Sequence, residues 1–492
     1  MRILTVHLVG NAVIVLKRAI LGKWLLLAAC LMGILLLCAC GTDTARAEES
    51  GTFTLGENIF IDGLDVSNMP LDEARNALTT VHTKKNSELQ FTIAIEGTEL
   101  TVSGKELPIV YNAEEILLKA ASLKRYYPQK NAARIFSCSP SVDVEALRAA
   151  LNGILSPHNF APQNAYATFD LGSEGRFIYT AEQAGRKIDV IPLAAKIKAA
   201  IESGGVEADT ETVPEWPLSI QGMRFEAEVH PLHASYTLED AIADTALIAE
   251  FHTSFKGSVY GKKNRVFNIE KAAGLINGII LAPGDEFDMN SVLGDRNAEN
   301  GWKEAAAIRE ATYVQEYGGG VCQVSSTLYN AVLTADLTVT ERWLHSWPLG
   351  YVPIGRDATI STGGPNFKFQ NTSDASIVIC AYTDKDKKTV HVELYGRKSN
   401  SDVTIKLKSY KVDTLEDLGE DLILDEALPF NTREVVREKR IGSVAETYKE
   451  YYDASGELIK RELVVRDKYR SVKGIVSVSR DIYYGYPILP TP

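Results

Sequence analysis

The sequence predicts a membrane-anchored, multidomain α+β protein, with a central α+β block of the thiol-enzyme kind and a small all-β module at its C-terminal end. Three observations predict it. The 492 residues exceed what a single hydrophobic core usually organises, so the chain divides into domains. Helix-type and strand-type periodicities are mixed as far as residue 398, and the tail after residue 430 carries strand-type alternation. An uncharged apolar run near the N-terminus is preceded by basic residues alone. The composition, 45% hydrophobic and 24% charged, is that of a folded protein. A formal charge of −12 speaks against a nucleic-acid partner, because phosphate binding wants a basic surface.

Residues 1–50 read as a cytoplasmic N-terminus and a signal or transmembrane anchor. Trp24 to Ala39 carries no charge, and Arg2, Lys17, Arg18 and Lys23 precede it without any acid. Positive-inside logic keeps that end in the cytoplasm and sends the remainder across the membrane. Three fates fit the segment. It remains as a single-pass anchor, it is cut after Ala47 with Ala45 at the small-residue spacing, or Cys40 in "LCACG" is acylated as in a lipoprotein box. Each places the bulk of the chain on the cell-wall side.

The six cysteines divide evenly. Cys30, Cys38 and Cys40 belong to the export segment, which leaves Cys138, Cys322 and Cys380 in a compartment where disulfides persist. With three thiols, at least one is unpaired. Cys380 lies in the strand pattern "SIVICAY" and reads as core.

Residues 51–235 read as an α+β domain. Ile59 and Ile61 alternate as a strand, and Pro70 opens an acidic-starting helix. "LQFTIAIEGTELTVS" is a hairpin turning at Gly97, and helical patterns recur at "AEEILLKAASL" and "VDVEALRAALNGI". The motifs "IDGLDVSNMPLDEARNAL", "APQNAYATFD" and "AGRKIDVIPLAAKIKAAI" resemble the peptidoglycan-binding domain found ahead of cell-wall enzymes in Gram-positive bacteria. The alternative is a spacer that touches nothing.

Residues 236–398 form the central block, and its chemistry is concentrated in "EYGGGVCQVSSTLYNAVLTADL". Val321, Val324, Leu328, Ala331 and Ala335 recur at helical spacing as a core stripe, with Cys322 beside it and Ser326 and Tyr329 on the cysteine's own face. A thiol at a helix N-terminus gains from free N–H groups and the macrodipole, which lower its pKa. Gly318, Gly319 and Gly320 leave backbone room for a substrate and N–H groups for an oxyanion. The alternative is a tight turn capped by a core cysteine.

A thiolate needs a base and something to orient it. His345 follows Cys322 by 23 residues and Asp357 follows His345 by 12, an order that suits a helix followed by two adjacent strands. Gln323, Ser326 and Arg356 complete the candidate substrate contacts, with Ser346 and with Arg342, unless the latter pairs with Glu341 or Asp357. No CxxC, HxxxH or HExxH spacing points to a metal, and no glycine fingerprint points to a nucleotide cofactor.

Residues 399–430 read as a linker, a strand and an acidic connector. Residues 431–492 alternate apolar and polar residues around a "DASGE" hairpin turn, and with Gly442, Tyr448 and Gly456 they resemble the G-five domain of wall-associated proteins.

The central block resembles the VanW domain family through "NRVFNIEKAAGLINGIILAPGDEFDMNSVLG", "GGGVCQVSSTLYNAVL", "ERWLHSWPLGYVPIGRDATIS" and "NFKFQNTS". Asn366 stands where that family more often has an acid, and Trp302 where it more often has tyrosine. The resemblance implies an extracytoplasmic cell-wall protein, linked to glycopeptide (vancomycin) resistance, with a cysteine-dependent L,D-transpeptidase activity on peptidoglycan stem peptides. In that chemistry Cys322 is the nucleophile, His345 the proton carrier and Asp357 its orienter. Two other readings use the same modules: a wall-binding protein without catalysis, and a thiol hydrolase of stem peptides.

Overall fold

A computed structural model describes residues 53–126, 133–203, 220–258, 262–309, 312–398 and 402–485. The apolar N-terminal segment and the three fates of Cys40 and its neighbours lie outside the described residues. No described helix is long and apolar enough to cross a membrane. The described residues fall into two compact units.

One unit comprises residues up to Asn164 together with Glu182–Ser235. The helix Leu71–Glu88 starts after Pro70, which lacks an N–H to leave unsatisfied, and carries Asp72 and Glu73 in its first turn. It packs Ala74 and Leu78 with the helix Ala113–Tyr126 over the small sheet formed by Ile59–Ile61, Leu64–Asp65 and Arg134–Phe136. A second core lies under the hairpin Gln90–Ile95 and Thr98–Ser103, whose turn uses Gly97 at φ +81. The helices over it are Val144–Leu155, capped by Asp143 through the Ala146 N–H, and Val190–Glu202, capped by Asp189 through the Ile191 N–H.

The other unit contains Ala165–Ala181 and the chain from Tyr236 onward. The stretch "YATF", read from sequence with the N-terminal domain, therefore packs elsewhere. Its hairpin, Tyr166–Phe169 with Phe177–Thr180, places Phe177 against Val378, Cys380 and Tyr395. Those residues face one side of a four-stranded antiparallel sheet ordered Ala246–Ser254, Thr389–Gly396, Ile377–Asp384, Ile279–Leu281. Ile377, Ile379, Ala381, Val392 and Leu394 point to the other side, as the two-residue period requires, and meet the helices Lys263–Ile276 and Val321–Thr334.

Residues 402–430, read from sequence within a linker, are built into the β module. They supply the eleven-residue strand Thr404–Thr414, antiparallel to Ser443–Tyr452, and the strand Glu420–Leu424, parallel to Gly474–Val478. The alternation "TIKLKSYKVDT" is that of a strand, and the acidic side chains between the two strands face solvent. With Leu458–Tyr469 and Arg433–Arg437 these strands make two three-stranded sheets. The turn at Asp453–Glu457 is closed by the Asp453 N–H on the Glu457 carbonyl and by Gly456 at φ +84.

Candidate active site

The helix Val321–Thr334 carries Cys322 in its first turn. Sequence periodicity gave it one apolar stripe and a polar face. In the structure both are buried: Val324, Ser325, Ser326, Thr327, Leu328 and Asn330 are all fully enclosed. Burial of the polar face is tolerable because the Ser325, Ser326 and Thr327 hydroxyls each donate to a carbonyl. Ser326 Oγ donates to the Cys322 carbonyl at 2.7 Å and accepts the Ala358 N–H at 2.9 Å. Ser325 Oγ donates to the Ala358 carbonyl at 2.7 Å. These bonds tie the cysteine helix to the chain that carries Asp357.

The three glycines are there for two separate reasons. Gly318 at φ +81 and Gly320 at φ +112 occupy the left-handed region, which strains any L side chain. Gly319 is required by space: a Cβ there would lie 2.5 Å from the Ala305 carbonyl oxygen. Asn268 fixes this approach, donating from Nδ2 to the Gly319 carbonyl at 3.1 Å and to the Lys303 carbonyl at 2.8 Å. The Gly318, Gly319, Val321 and Gln323 N–H groups are consumed by the carbonyls of Lys303, Glu316, Gly318 and Gly320. Among the described residues, the N–H groups of Gly320 and Cys322 have no hydrogen-bond partner, so this pair can face an anion.

His345 and Asp357 lie in irregular segments without ladder pairing, not in two adjacent strands. Pro348 and Pro353 fall between them and remove donors a ladder would need. The bond from the Thr359 N–H to the Trp343 carbonyl, 2.8 Å, joins the segments. His345 Nδ1 lies 2.6 Å from Asp357 Oδ2, which leaves Nε2 unengaged by the carboxylate, and the ring is near enough to the Cys322 sulfur for each to shift the other's pKa. The sulfur also lies 3.5 Å from the Ile360 N–H and 3.7 Å from the Thr359 hydroxyl.

The electrostatics follow from that chain of contacts. Burial pushes the Cys322 thiol up, but the bond and charge of His345, with the Ile360 N–H and the Thr359 hydroxyl, bring it down to about 7. Burial pushes His345 down, and its bonds to Asp357 and to the sulfur raise it to about 9. Burial raises Asp357, yet His345, Arg342 and Tyr469 hold it below the usual carboxylate range. The arrangement favours a thiolate–imidazolium pair braced by a carboxylate.

Cys322 and His345 open on a cleft of about 980 Å³. Gly318 to Gly320 form part of it, and the hairpin Glu304–Arg309 with Thr312–Tyr317 contributes Ala306, Gln315 and Tyr317. Arg265 and Arg296 also line it, two cations that sequence reading did not single out. Gln323 reaches the cleft but is 1% exposed, and its amide donates to Thr253 Oγ1 and the Ser254 carbonyl. Arg356, read as a substrate contact, is turned away: its Nε donates to Asn330 Oδ1 at 2.6 Å and it stacks over Phe251. Ser326 is likewise occupied, by its bonds to the Cys322 carbonyl and to Ala358. Ser346 lines the cleft, and Arg342 pairs with Asp357, one of the two partners read from sequence.

The residues that brace Asp357 come from far along the chain. Tyr469 donates to Asp357 Oδ1 at 2.5 Å, and Arg342 bridges Asp357 to both oxygens of Asp467. No local signal in the sequence marks Tyr469 or Asp467, since their partners are more than a hundred residues away.

Away from this site, Asp62, His82 and Cys138 bring ligand-type atoms within 4.8 Å of one another. Their own bonds account for them: Asp62 Oδ2 meets His82 Nε2 at 2.7 Å, and Oδ1 accepts the Cys138 N–H at 3.1 Å. The Lys85 ammonium at 3.6 Å already supplies the cation there. Cys138, Cys322 and Cys380 are all free thiols.

With this geometry in hand, the protein reads as a multidomain chain built around a braced thiol, and comparison with known proteins relates two of its modules to families. Residues 264–395 match the family described as "VanW like protein". Residues 93–208 match the "Putative peptidoglycan binding domain" family. The chain thus carries a VanW-like domain and a peptidoglycan-binding-type domain. It is 41% identical over 137 residues to "Uncharacterized protein YoaR" of Bacillus subtilis (strain 168), covering 28% of this chain and 44% of that one. It is 27% identical over 172 residues to "Vancomycin B-type resistance protein VanW" of Enterococcus faecalis (strain ATCC 700802 / V583), covering 34% of this chain and 62% of that one. The chain therefore spans less than two thirds of either relative. Two solved structures, of HP0197-G5 and of the IgA1 protease G5 domain, each overlap 16% of this chain and 97% and 95% of theirs. Both are 18% identical, with TM-scores of 0.11 and 0.12.

Proposed function

We propose that the protein acts in the cell wall, on the outer side of the membrane, as a cysteine-dependent acyltransferase of the L,D-transpeptidase type. A cell-wall association is supported by the VanW-like and peptidoglycan-binding-type domains and by the two relatives. The observation that carries the catalytic part is the convergence of Cys322, His345 and Asp357 at a glycine-walled cleft.

The proposed reaction starts with the Cys322 thiolate attacking the L-centre carbonyl of a tetrapeptide stem. The carbonyl oxygen takes up the negative charge and faces the N–H groups of Gly320 and Cys322. As the tetrahedral species collapses, the C–N bond breaks, the imidazolium of His345 protonates the leaving amine, and the terminal D-residue departs. A thioester remains. The side-chain amine of a neighbouring stem, losing its proton to His345, attacks the thioester, and the C–S bond breaks to return the thiolate. The product is a 3–3 cross-link. With water as acceptor the same steps amount to hydrolysis.

The test is incubation of the chain with purified disaccharide-tetrapeptide beside a Cys322→Ala control. Cross-linked dimers and released D-alanine that vanish in the control support the transferase. Shortened stems without dimers assign the hydrolase instead, and identical products from both proteins exclude either enzyme.

A further inference from the structure

We propose that the C-terminal β module is a working part of the thiol site, with Tyr469 and Asp467 as positioning residues that hold Asp357, and through it His345, in line with Cys322. The inference rests on the activated-thiol reading above and deepens it. It makes the β module necessary for the reactivity of the VanW-like block.

Four donors reach the Asp357 carboxylate, and one of them comes from the strand Leu458–Tyr469. Oδ2 takes the His345 N–H at 2.7 Å and Nδ1 at 2.6 Å. Oδ1 takes the Tyr469 hydroxyl at 2.5 Å and Arg342 at 3.3 Å. The direction of the tyrosine bond is fixed by its other partner: the phenol oxygen accepts the Gly355 N–H at 3.0 Å, so its proton points to Asp357. Thr447 of the same module donates to the Gly355 carbonyl at 2.9 Å. Gly355 cannot be replaced there without strain, because at φ +81 a Cβ would lie 2.7 Å from the Thr447 hydroxyl.

Asp467 has a different task. Arg342 donates through Nε to the Asp357 backbone carbonyl at 2.6 Å, fixing the main chain of the orienting residue. A bare guanidinium so close would draw the carboxylate's charge away from the imidazolium. Asp467 answers it with two bonds, at 2.6 and 2.7 Å. Tyr469 is 1% exposed and Asp467 4%, so solvent does not screen this network. Stability alone gives little reason for it, since buried ion pairs roughly break even against apolar packing.

Among the described residues, the charged and titratable groups that interact with Asp357 are His345, Arg342, Tyr469, Asp467, Tyr329 and Tyr351, and those that interact with the Cys322 sulfur are His345, Arg296 and Tyr351. A control contact joins the same module to the far end of the cysteine helix, where Lys449 lies 2.8 Å and the Tyr451 hydroxyl 2.9 Å from Asp336.

The experiment reads the sulfur directly and needs no substrate. Iodoacetamide alkylation of Cys322 is followed against pH in the full chain by mass spectrometry of its peptide, with thermal unfolding alongside. Tyr469→Phe and Asp467→Asn are expected to move the alkylation midpoint upward by roughly one pH unit, cutting the rate at neutral pH several-fold. Asp336→Asn, which keeps a residue suited to its φ of +60, is expected to leave the midpoint in place. Midpoints unchanged in Tyr469→Phe and Asp467→Asn overturn the inference while leaving the thiol reading intact, even where unfolding temperatures fall. Equal shifts in all three variants also overturn it, as general loosening. A wild-type midpoint at the ordinary thiol value of about 8.5 removes the activated-thiol reading and the inference with it.

Discussion

One oxygen of Asp357, Oδ2, holds His345 twice, at the main-chain N–H and at ring Nδ1, 2.7 and 2.6 Å away. Backbone and imidazole are thereby fixed together, and Nε2 can point only toward the cysteine helix. An orienting carboxylate that grips both ends of its histidine does more than select a tautomer; it sets where the ring stands.

Replacing that carboxylate by its amide tests the grip. In Asp357→Asn the imidazolium loses its anionic partner while the shape is kept. Turnover in the tetrapeptide assay is expected to fall by about 10²–10⁴-fold. Alkylation of Cys322 at neutral pH is expected to slow, because a less basic His345 stabilises the thiolate less. An unchanged rate in both assays removes Asp357 from the site.

The pH profile has a worked sign. The Cys322 value is lowered to about 7 and the His345 value raised to about 9, so the charged pair exists between them. Below that window the thiolate is protonated, and above it the imidazolium loses the proton that the leaving amine needs. Activity is expected to be bell-shaped, with two apparent values that belong to the coupled pair and not to either residue. A single acid limb with an alkaline plateau contradicts a role for His345 as proton donor.

Gly319→Ala addresses the glycine run. Its Cβ would strike the Ala305 carbonyl at 2.5 Å, and backbone on both sides has little freedom to yield. A loss of about 1–3 kcal/mol in denaturant unfolding is expected, with reduced turnover as the cleft wall shifts. Gly350→Ala, where nothing lies within 4 Å, is expected to stay within about 0.5 kcal/mol of the parent.

In the N-terminal unit, Asp62 carries a stability prediction with no bearing on catalysis. Burial raises its pKa, but His82, Lys85 and the Cys138 N–H lower it further than burial raises it. A depressed carboxylate stabilises the fold above its unfolded value of 3.8 and loses that contribution as pH falls through the lower folded value. Asp62→Asn is expected to cost about 1–3 kcal/mol at neutral pH, by weakening the bond to His82 and losing the charge opposite Lys85. The gap between the two proteins is expected to close in acid, as read by unfolding midpoints from pH 7 to pH 3.

Much of this was legible in the residues. The hairpin around Gly97, the helix that opens at Pro70 and the cysteine helix all follow local rules, and local rules act within a few residues. The strand Thr404–Thr414 was legible as a strand and yet assigned to a linker, because its partner, Ser443–Tyr452, comes later in the chain. The hairpin Tyr166–Phe169 and Phe177–Thr180 was misassigned for the same cause: sequence neighbours suggest one unit, while the apolar side of Phe177 is buried by Tyr395.

By itself the sequence determined that a cysteine would open a helix behind three glycines and that a histidine and an acid would follow. Only the tertiary structure decided what those residues meet. It turned Arg356 and Ser326 into scaffold, explained Gly319 by the Ala305 carbonyl, and brought Tyr469 and Asp467 from the strand Leu458–Tyr469 to the back of Asp357. The reason is physical. Helix period, caps and turn glycines are written in short-range sterics, whereas the satisfaction of a buried carboxylate depends on whichever donors the folded chain carries to it.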